Sequence, residues 1–222
     1  MKKLISFILC LLLLIPFSTL TFSAVDVNLS QGKDALIAQW DKGESHGFDY
    51  RAYSPVKDES DTVKYPLVVM LHGKYSGTNE GEQLTSSNFY NWSSTEYQSR
   101  FKDSGGAFIL MPRTPGGDGK TWANTSYHSD LMNLIKDYIS AHADNIDTSR
   151  VYLMGWSMGG AGAISVASDN PDFFAAAVIM APFDSVTKAQ VEALRYTPIW
   201  LVTCTKDTTA SYITFANYYI II

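Results

Sequence analysis

The chain alternates short, unbroken apolar runs with polar and helix-spaced stretches. Pro66-Leu-Val-Val-Met-Leu71 ends in His72-Gly73, and Ala107-Phe-Ile-Leu-Met111 ends at Pro112. Val151-Tyr-Leu-Met154 ends at Gly155, Ala175-Ala-Ala-Val-Ile-Met180 leads to Pro182, and Pro198-Ile-Trp-Leu-Val202 follows. Runs of this length bounded by Gly or Pro are the pattern of strands buried on both faces of a parallel sheet. Phe48 to Ser54 alternates instead, as an antiparallel strand does. Lys57 to Lys64 is polar and charged, which predicts a surface loop.

Helical spacing lies between the runs. Tyr127 to Ala143 puts Leu131, Leu134, Ile135, Tyr138 and Ile139 on one face, with Ser126 placed to cap it. Met158 to Ser168 is small and apolar, suited to close packing under a sheet, and Val186 to Leu194 is short and amphipathic. Asn91 to Lys102 predicts a further helix within the long stretch Lys74 to Gly106. Strands alternating with helices predict an α/β fold with a mostly parallel sheet. No repeat or Pro/Gly-rich linker divides it.

Composition narrows the class. With 222 residues, 46% hydrophobic and 18% charged, the chain has the content of one large core and too little charge for a disordered one. A formal charge of −5 argues against nucleic acid as a partner. Met1-Lys2-Lys3 precedes an apolar run of 12 residues, Leu4 to Ile15, followed by Pro16 and a Ser/Thr-rich stretch. This predicts a secretory signal peptide over residues 1–24, cleaved near Ser23 or Ala24. The run falls short of the ~20 residues of a membrane span. Cys10 lacks the small residues that precede a lipid-attachment cysteine. The expected product is residues 25–222, secreted, periplasmic or at the cell surface, with no stable membrane association. One cysteine remains, Cys204, expected to be a buried core residue.

The strongest chemical signal is Gly155-Trp156-Ser157-Met158-Gly159-Gly160, which fits the G-x-S-x-G nucleophile elbow between a strand and a helix. A sharp strand-to-helix turn forces the central serine into strained backbone geometry and leaves no room for side chains two residues either side. Ser157 is therefore the candidate nucleophile, at the positive end of the following helix. In this arrangement the second oxyanion donor comes from the loop after an earlier strand. Gly73 or Lys74 would supply it, beside the N–H of Met158. His72 is expected to pack beneath that loop.

These segments resemble secreted α/β-hydrolase-fold serine esterases of the feruloyl-esterase-like, polyhydroxybutyrate-depolymerase-like and peptidase-like branch. The resemblance rests on Val68 to Gly73, Asp147 to Gly160, and Pro198 to Val202 with Asp207. It implies a three-layer α/β-hydrolase fold. It also implies that Asp207 orients a catalytic histidine, although Thr203-Cys204 stands where the family has His-Gly. Trp122 and Trp156, with Tyr75 and Trp92, would line a cleft for aromatic or sugar-linked acyl groups. No cofactor and no metal is implied. Asp118, His128 and Asp130 match no trusted ligand spacing.

In this family's chain order the histidine follows the aspartate. The four histidines here are His46, His72, His128 and His142, and none follows Asp207. The expectation is a domain incomplete at its C-terminal side, lacking the last strand and helix: a gene fragment, a frameshift or a premature stop. Pro198 to Val202 would then be an apolar edge strand. Losing the histidine of a triad costs ~10⁶-fold in turnover, or roughly 8 kcal/mol. His128, just after Thr121-Trp122, is the best substitute, with a surface histidine the plainer reading. The expected function is an exported serine hydrolase of small-molecule or polysaccharide-linked carboxylic esters. The alternatives are an inactive remnant or ligand-binding pseudoenzyme of the same fold, and a serine peptidase.

Overall fold

The computed structural model describes residues 29–74, 79–86, 88–115, 121–122, 124–183, 186–204 and 206–207. The expected signal peptide, Tyr75, Asp118 and the tail beyond Asp207 lie outside the described residues.

The strands are β1 (Asp41–Ser45), β2 (Phe48–Tyr53), β3 (Tyr65–Leu71), β4 (Phe108–Pro112), β5 (Ile146–Trp156), β6 (Ala176–Met180) and β7 (Ile199–Val202). They form one sheet in the order β1-β2-β4-β3-β5-β6-β7. β1 and β2 make an antiparallel hairpin, and β2 joins β4 antiparallel. From β4 through β7 every pairing is parallel. The hairpin turn is His46-Gly47, with φ of 51° and 76°, the left-handed pair that matches strand twist in two-residue turns.

All seven residues of β3 are buried, which explains the unbroken apolar run. Leu67, Val69 and Leu71 enter one core with Phe48, Phe108 and Leu110, while Val68 and Met70 enter a second with Ile109, Met111 and Trp40. Each such side chain contributes about 1.5–3 kcal/mol by leaving water.

The helices are α1 (Lys33–Ile37), α2 (Glu82–Thr85), α3 (Thr95–Gln98), α4 (His128–Ala141), α5 (Met158–Asp169) and α6 (Lys188–Ala193). Leu131, Leu134 and Ile135 of α4, Ile164 and Val166 of α5, and Val191 of α6 fill the first core. Leu84 of α2 and Phe89 close the second. The sheet is thus covered on both faces, in three layers.

Local chemistry moves several boundaries. The helix expected over Asn91–Lys102 is a 3₁₀ turn, Phe89–Ser93, followed by α3. Ser94 separates them, extended at φ −69° and ψ 150°, its hydroxyl accepting from the Tyr97 N–H. The cap before α4 is Asn124 rather than Ser126, because Asn124 Oδ1 accepts from the Ser126 N–H at 3.1 Å and starts a 3₁₀ turn. Cys204, expected in the core, is exposed, because it lies two residues past the end of β7. Trp200 is 70% exposed on β7, whose alternate residues Ile199 and Leu201 pack on the first core.

Glycines in α5 set how closely it approaches its neighbours. A Cβ on Gly162 would lie 2.1 Å from Cβ of Trp122, whose ring is fixed in the core. Gly162→Ala is expected to lower unfolding free energy by about 1–3 kcal/mol despite alanine's better helix propensity, as overpacked cores do. Urea unfolding of the variant measures this directly.

Candidate active site

Ser157 stands between β5 and α5 with φ 56° and ψ −118°, a conformation an L-residue adopts only when its surroundings dictate it. Those surroundings are backbone. The Ser157 N–H donates to the Met180 carbonyl at 2.9 Å. The Ser157 carbonyl accepts from Ala161 at 3.1 Å and from Phe183 at 3.2 Å. A Cβ on Gly155 would lie 2.0 Å from the Gly159 carbonyl oxygen, and a Cβ on Gly159 would lie 2.0 Å from the Leu71 carbonyl oxygen. The two glycines are therefore obligatory. Ser157 itself is half-buried, and Met158 begins α5 behind it.

The loop after β3 lies alongside. Leu71 pairs with Gly155, so His72, Gly73 and Lys74 run next to Trp156 and Ser157. Gly73 sits under the Trp156 ring, where a Cβ would come within 2.8 Å of it. Trp156 is 37% exposed, so its outer side is open at the rim of the site.

His72 is buried. Its Nδ1–H donates to the Gly73 carbonyl at 2.7 Å, and its Nε2 accepts from the Thr114 N–H at 3.1 Å. That pattern requires the neutral ring. Burial lowers its pKa to about 4, against a smaller upward pull from the Gly73 carbonyl. His72 thus braces two loops from below, as the sequence implied.

Trp122 is placed differently from its expected role in a cleft. It is 1% exposed, stacked on Phe48 at 6.2 Å, and its indole N–H donates to the His72 carbonyl at 2.9 Å. The indole is large and apolar enough to be drawn into the core, and its one polar atom finds a backbone partner there. Trp92, also expected near a cleft, packs with Tyr97 and Phe101.

The remaining imidazoles are engaged away from Ser157. His128 Nε2 donates to the Trp122 carbonyl at 2.9 Å, and its Nδ1 faces Asp169 Oδ2 at 2.5 Å. His46 Nε2 faces Asp137 Oδ2 at 2.8 Å, and His142 Nδ1 donates to the Tyr138 carbonyl at 2.8 Å. None of the four contacts the Ser157 hydroxyl. His128, weighed as a substitute base, has both nitrogens committed; the His128–Asp169 pairing is one that sequence gave no signal for. Asp207 lies five residues past β7, in a turn closed by its own N–H to the Cys204 carbonyl at 3.0 Å. The Ala181 N–H donates to the Val202 carbonyl at 2.7 Å, which brings the end of β7 to the same sheet edge as Ser157. Among the described residues no group of three His, Cys, Asp or Glu side chains is placed to hold a metal.

Several known proteins are similar to this chain. Residues 125–220 match the model of the PET hydrolase-like family. The chain is 31% identical over 130 residues to a bifunctional acetylxylan esterase/xylanase of Neocallimastix patriciarum, covering 56% of this chain and 16% of that protein. It is 27% identical over 134 residues to dipeptidyl aminopeptidase A of Saccharomyces cerevisiae, covering 56% of this chain and 13% of that protein. The chain therefore spans less than a fifth of the length of these two relatives. A thermostable esterase structure superposes with a TM-score of 0.68 at 24% identity, covering 82% of this chain and 51% of that one. The chain has the α/β-hydrolase fold, and the resemblance read from its elbow and strands is borne out at that level.

His72 makes stability depend on pH. Its folded pKa, about 4, lies below the ordinary 6.5, so between those values the unfolded chain binds a proton that the folded chain does not. This contribution is complete above pH ~6.5 and is lost as pH falls toward ~4, amounting to about 3 kcal/mol. Urea unfolding at a series of pH values should show this slope, and His72→Gln should remove that part of it.

Proposed function

We propose that this chain carries the nucleophile and oxyanion-stabilising machinery of a serine hydrolase acting on carboxylic esters. The observation that carries the reading is Ser157, held at φ 56° between Gly155 and Gly159 beside the loop of Gly73. In this mechanism Ser157 Oγ adds to the ester carbonyl. The oxygen that gains the charge accepts from the N–H of Met158 and from Gly73 or Lys74. The alcohol leaves, and water releases the acid from the acyl-enzyme. Asp207 takes the place of the acid. With all four histidines engaged elsewhere, the Ser157 proton passes to water as the new C–O bond forms, the departing alcohol taking a proton back from water. Trp156, exposed at the rim, is the aromatic surface for the acyl or alcohol group of a small-molecule or polysaccharide-linked ester. The acetylxylan esterase/xylanase among the relatives supports esters, dipeptidyl aminopeptidase A among them supports peptides equally, and the apolar leader-like start supports export.

A second reading has its own observation. All four histidines are engaged away from Ser157, which favours a chain that binds esters or is acylated without rapid turnover. The two readings separate on one experiment. The purified chain is treated with p-nitrophenyl acetate and with a fluorophosphonate, and the labelled residue is mapped by mass spectrometry. Labelling at Ser157 that is lost in Ser157→Ala, with continuous nitrophenol release, supports the hydrolase. Labelling without turnover supports the second reading. An unlabelled Ser157 overturns the first.

A further inference from the structure

The indole of Trp122 holds no substrate, yet it reaches the site through one hydrogen bond. Its Nε1–H donates to the carbonyl of His72 at 2.9 Å, in the buried interior. The next carbonyl, that of Gly73, is held by His72 Nδ1–H at 2.7 Å. Two successive carbonyls of the loop are thus tied inward. The chain has no cis peptide bond among the described residues, and in a trans peptide the N–H points opposite to the C=O. Tying the His72 carbonyl inward turns the Gly73 N–H outward, and tying the Gly73 carbonyl inward does the same for the Lys74 N–H. Those are the groups assigned to the oxyanion.

We infer that Trp122 is the positioning residue of the oxyanion loop, orienting its N–H groups through the His72 carbonyl. This deepens the hydrolase reading and rests on it. The indole is fixed from every side. Its ring stacks on Phe48 at an interplanar angle of 4° and meets the edge of the His72 ring at 5.0 Å. Its Cβ abuts Gly162 of α5, where no larger residue fits. Its carbonyl accepts from His128 Nε2 at 2.9 Å, and His128 pairs with Asp169 at the end of α5. The helix that begins beside Ser157 therefore ends on the residue pair that anchors Trp122. Nucleophile and oxyanion loop are referenced to the same rigid element.

Trp122→Phe tests this, since it keeps an aromatic ring against Phe48 and removes the N–H donor, together with part of the buried ring volume that a control has to match. The readout is phosphonylation of Ser157 by a fluorophosphonate, resolved into probe affinity and maximal rate. The expected result is a maximal rate lowered by about tenfold to a hundredfold, below the ~10²- to 10³-fold effect of losing one oxyanion donor outright because the donor is misaimed rather than removed, with affinity changed by less than about twofold. Leu134→Ala is the control for a merely structural role, because it removes buried volume from the same core and leaves the N–H and its Phe48 stacking partner in place. Its maximal rate should stay within about twofold of the parent. Trp122→Phe labelled as fast as the parent, or Leu134→Ala slowed equally, overturns the positioning role while leaving the hydrolase reading intact. A parent chain unlabelled at Ser157 overturns both.

Discussion

The active-site end of this molecule is organised around a contact between two stretches of backbone. Helix α5 rests directly on the end of β3, so closely that a Cβ on Gly159 would lie 2.0 Å from the Leu71 carbonyl oxygen and 2.7 Å from that of His72. No side chain mediates the contact, so no rotamer change can adjust it. The spacing between Ser157, two residues before Gly159, and the loop that begins one residue beyond Leu71 follows from it. The strained conformation of Ser157 follows as well. A chain leaving β5 and entering a helix seated this low has to turn through φ 56°, at a cost of about 1–3 kcal/mol that the surrounding cores offset.

Such close approach buries polar groups, and the region beneath the site is a satisfied network. His72, Trp122, Thr114 and His128 are each buried, and each has its polar partner in place. Leaving one of these groups unpaired would cost about 1–3 kcal/mol. The same arithmetic explains why histidines so near the site are not bases. A general base needs a lone pair aimed at the nucleophile. The His72 Nε2 lone pair is spent on the Thr114 N–H, and both His128 nitrogens are engaged.

What the sequence made legible was whatever one dominant force decides. The five apolar runs became β3 to β7; β3 and β4 are buried on two faces as such runs imply, whereas β7 exposes Trp200 and Val202. The elbow was legible because the demand on Gly155 is local, set by the Gly159 carbonyl; the demand on Gly159 comes instead from the Leu71 carbonyl of β3. Strand β1 was not foreseen: Asp41-Lys-Gly-Glu-Ser45 is polar because it lies at a sheet edge, and its strand state comes from pairing with β2. The helix expected over Asn91–Lys102 failed because the hydroxyl of Ser94, a weak local signal, outweighed the periodicity. Trp122 was misplaced for a deeper reason. An aromatic residue in a loop near an active site reads the same from sequence whether it lines the cleft or supports it. Only the fold decides, by bringing Phe48 and Gly162 to either side of its ring.

The site divides into two parts with different physical support. Ser157, the Gly73 loop and the residues beneath them are tied by buried backbone contacts and two-sided core packing. Asp207 is carried by a turn past β7, a strand whose Trp200 and Val202 are exposed. Among the described residues, the hydrogen bonds and close approaches that fix Ser157 and the His72 and Gly73 carbonyls come from residues 48 to 183. Oxyanion stabilisation without a base still provides about 10³- to 10⁴-fold over water. On the proposed function, electrostatic preorganisation and proton transfer are therefore separable, and the buried network under Gly73 can be perturbed and measured without reference to the base.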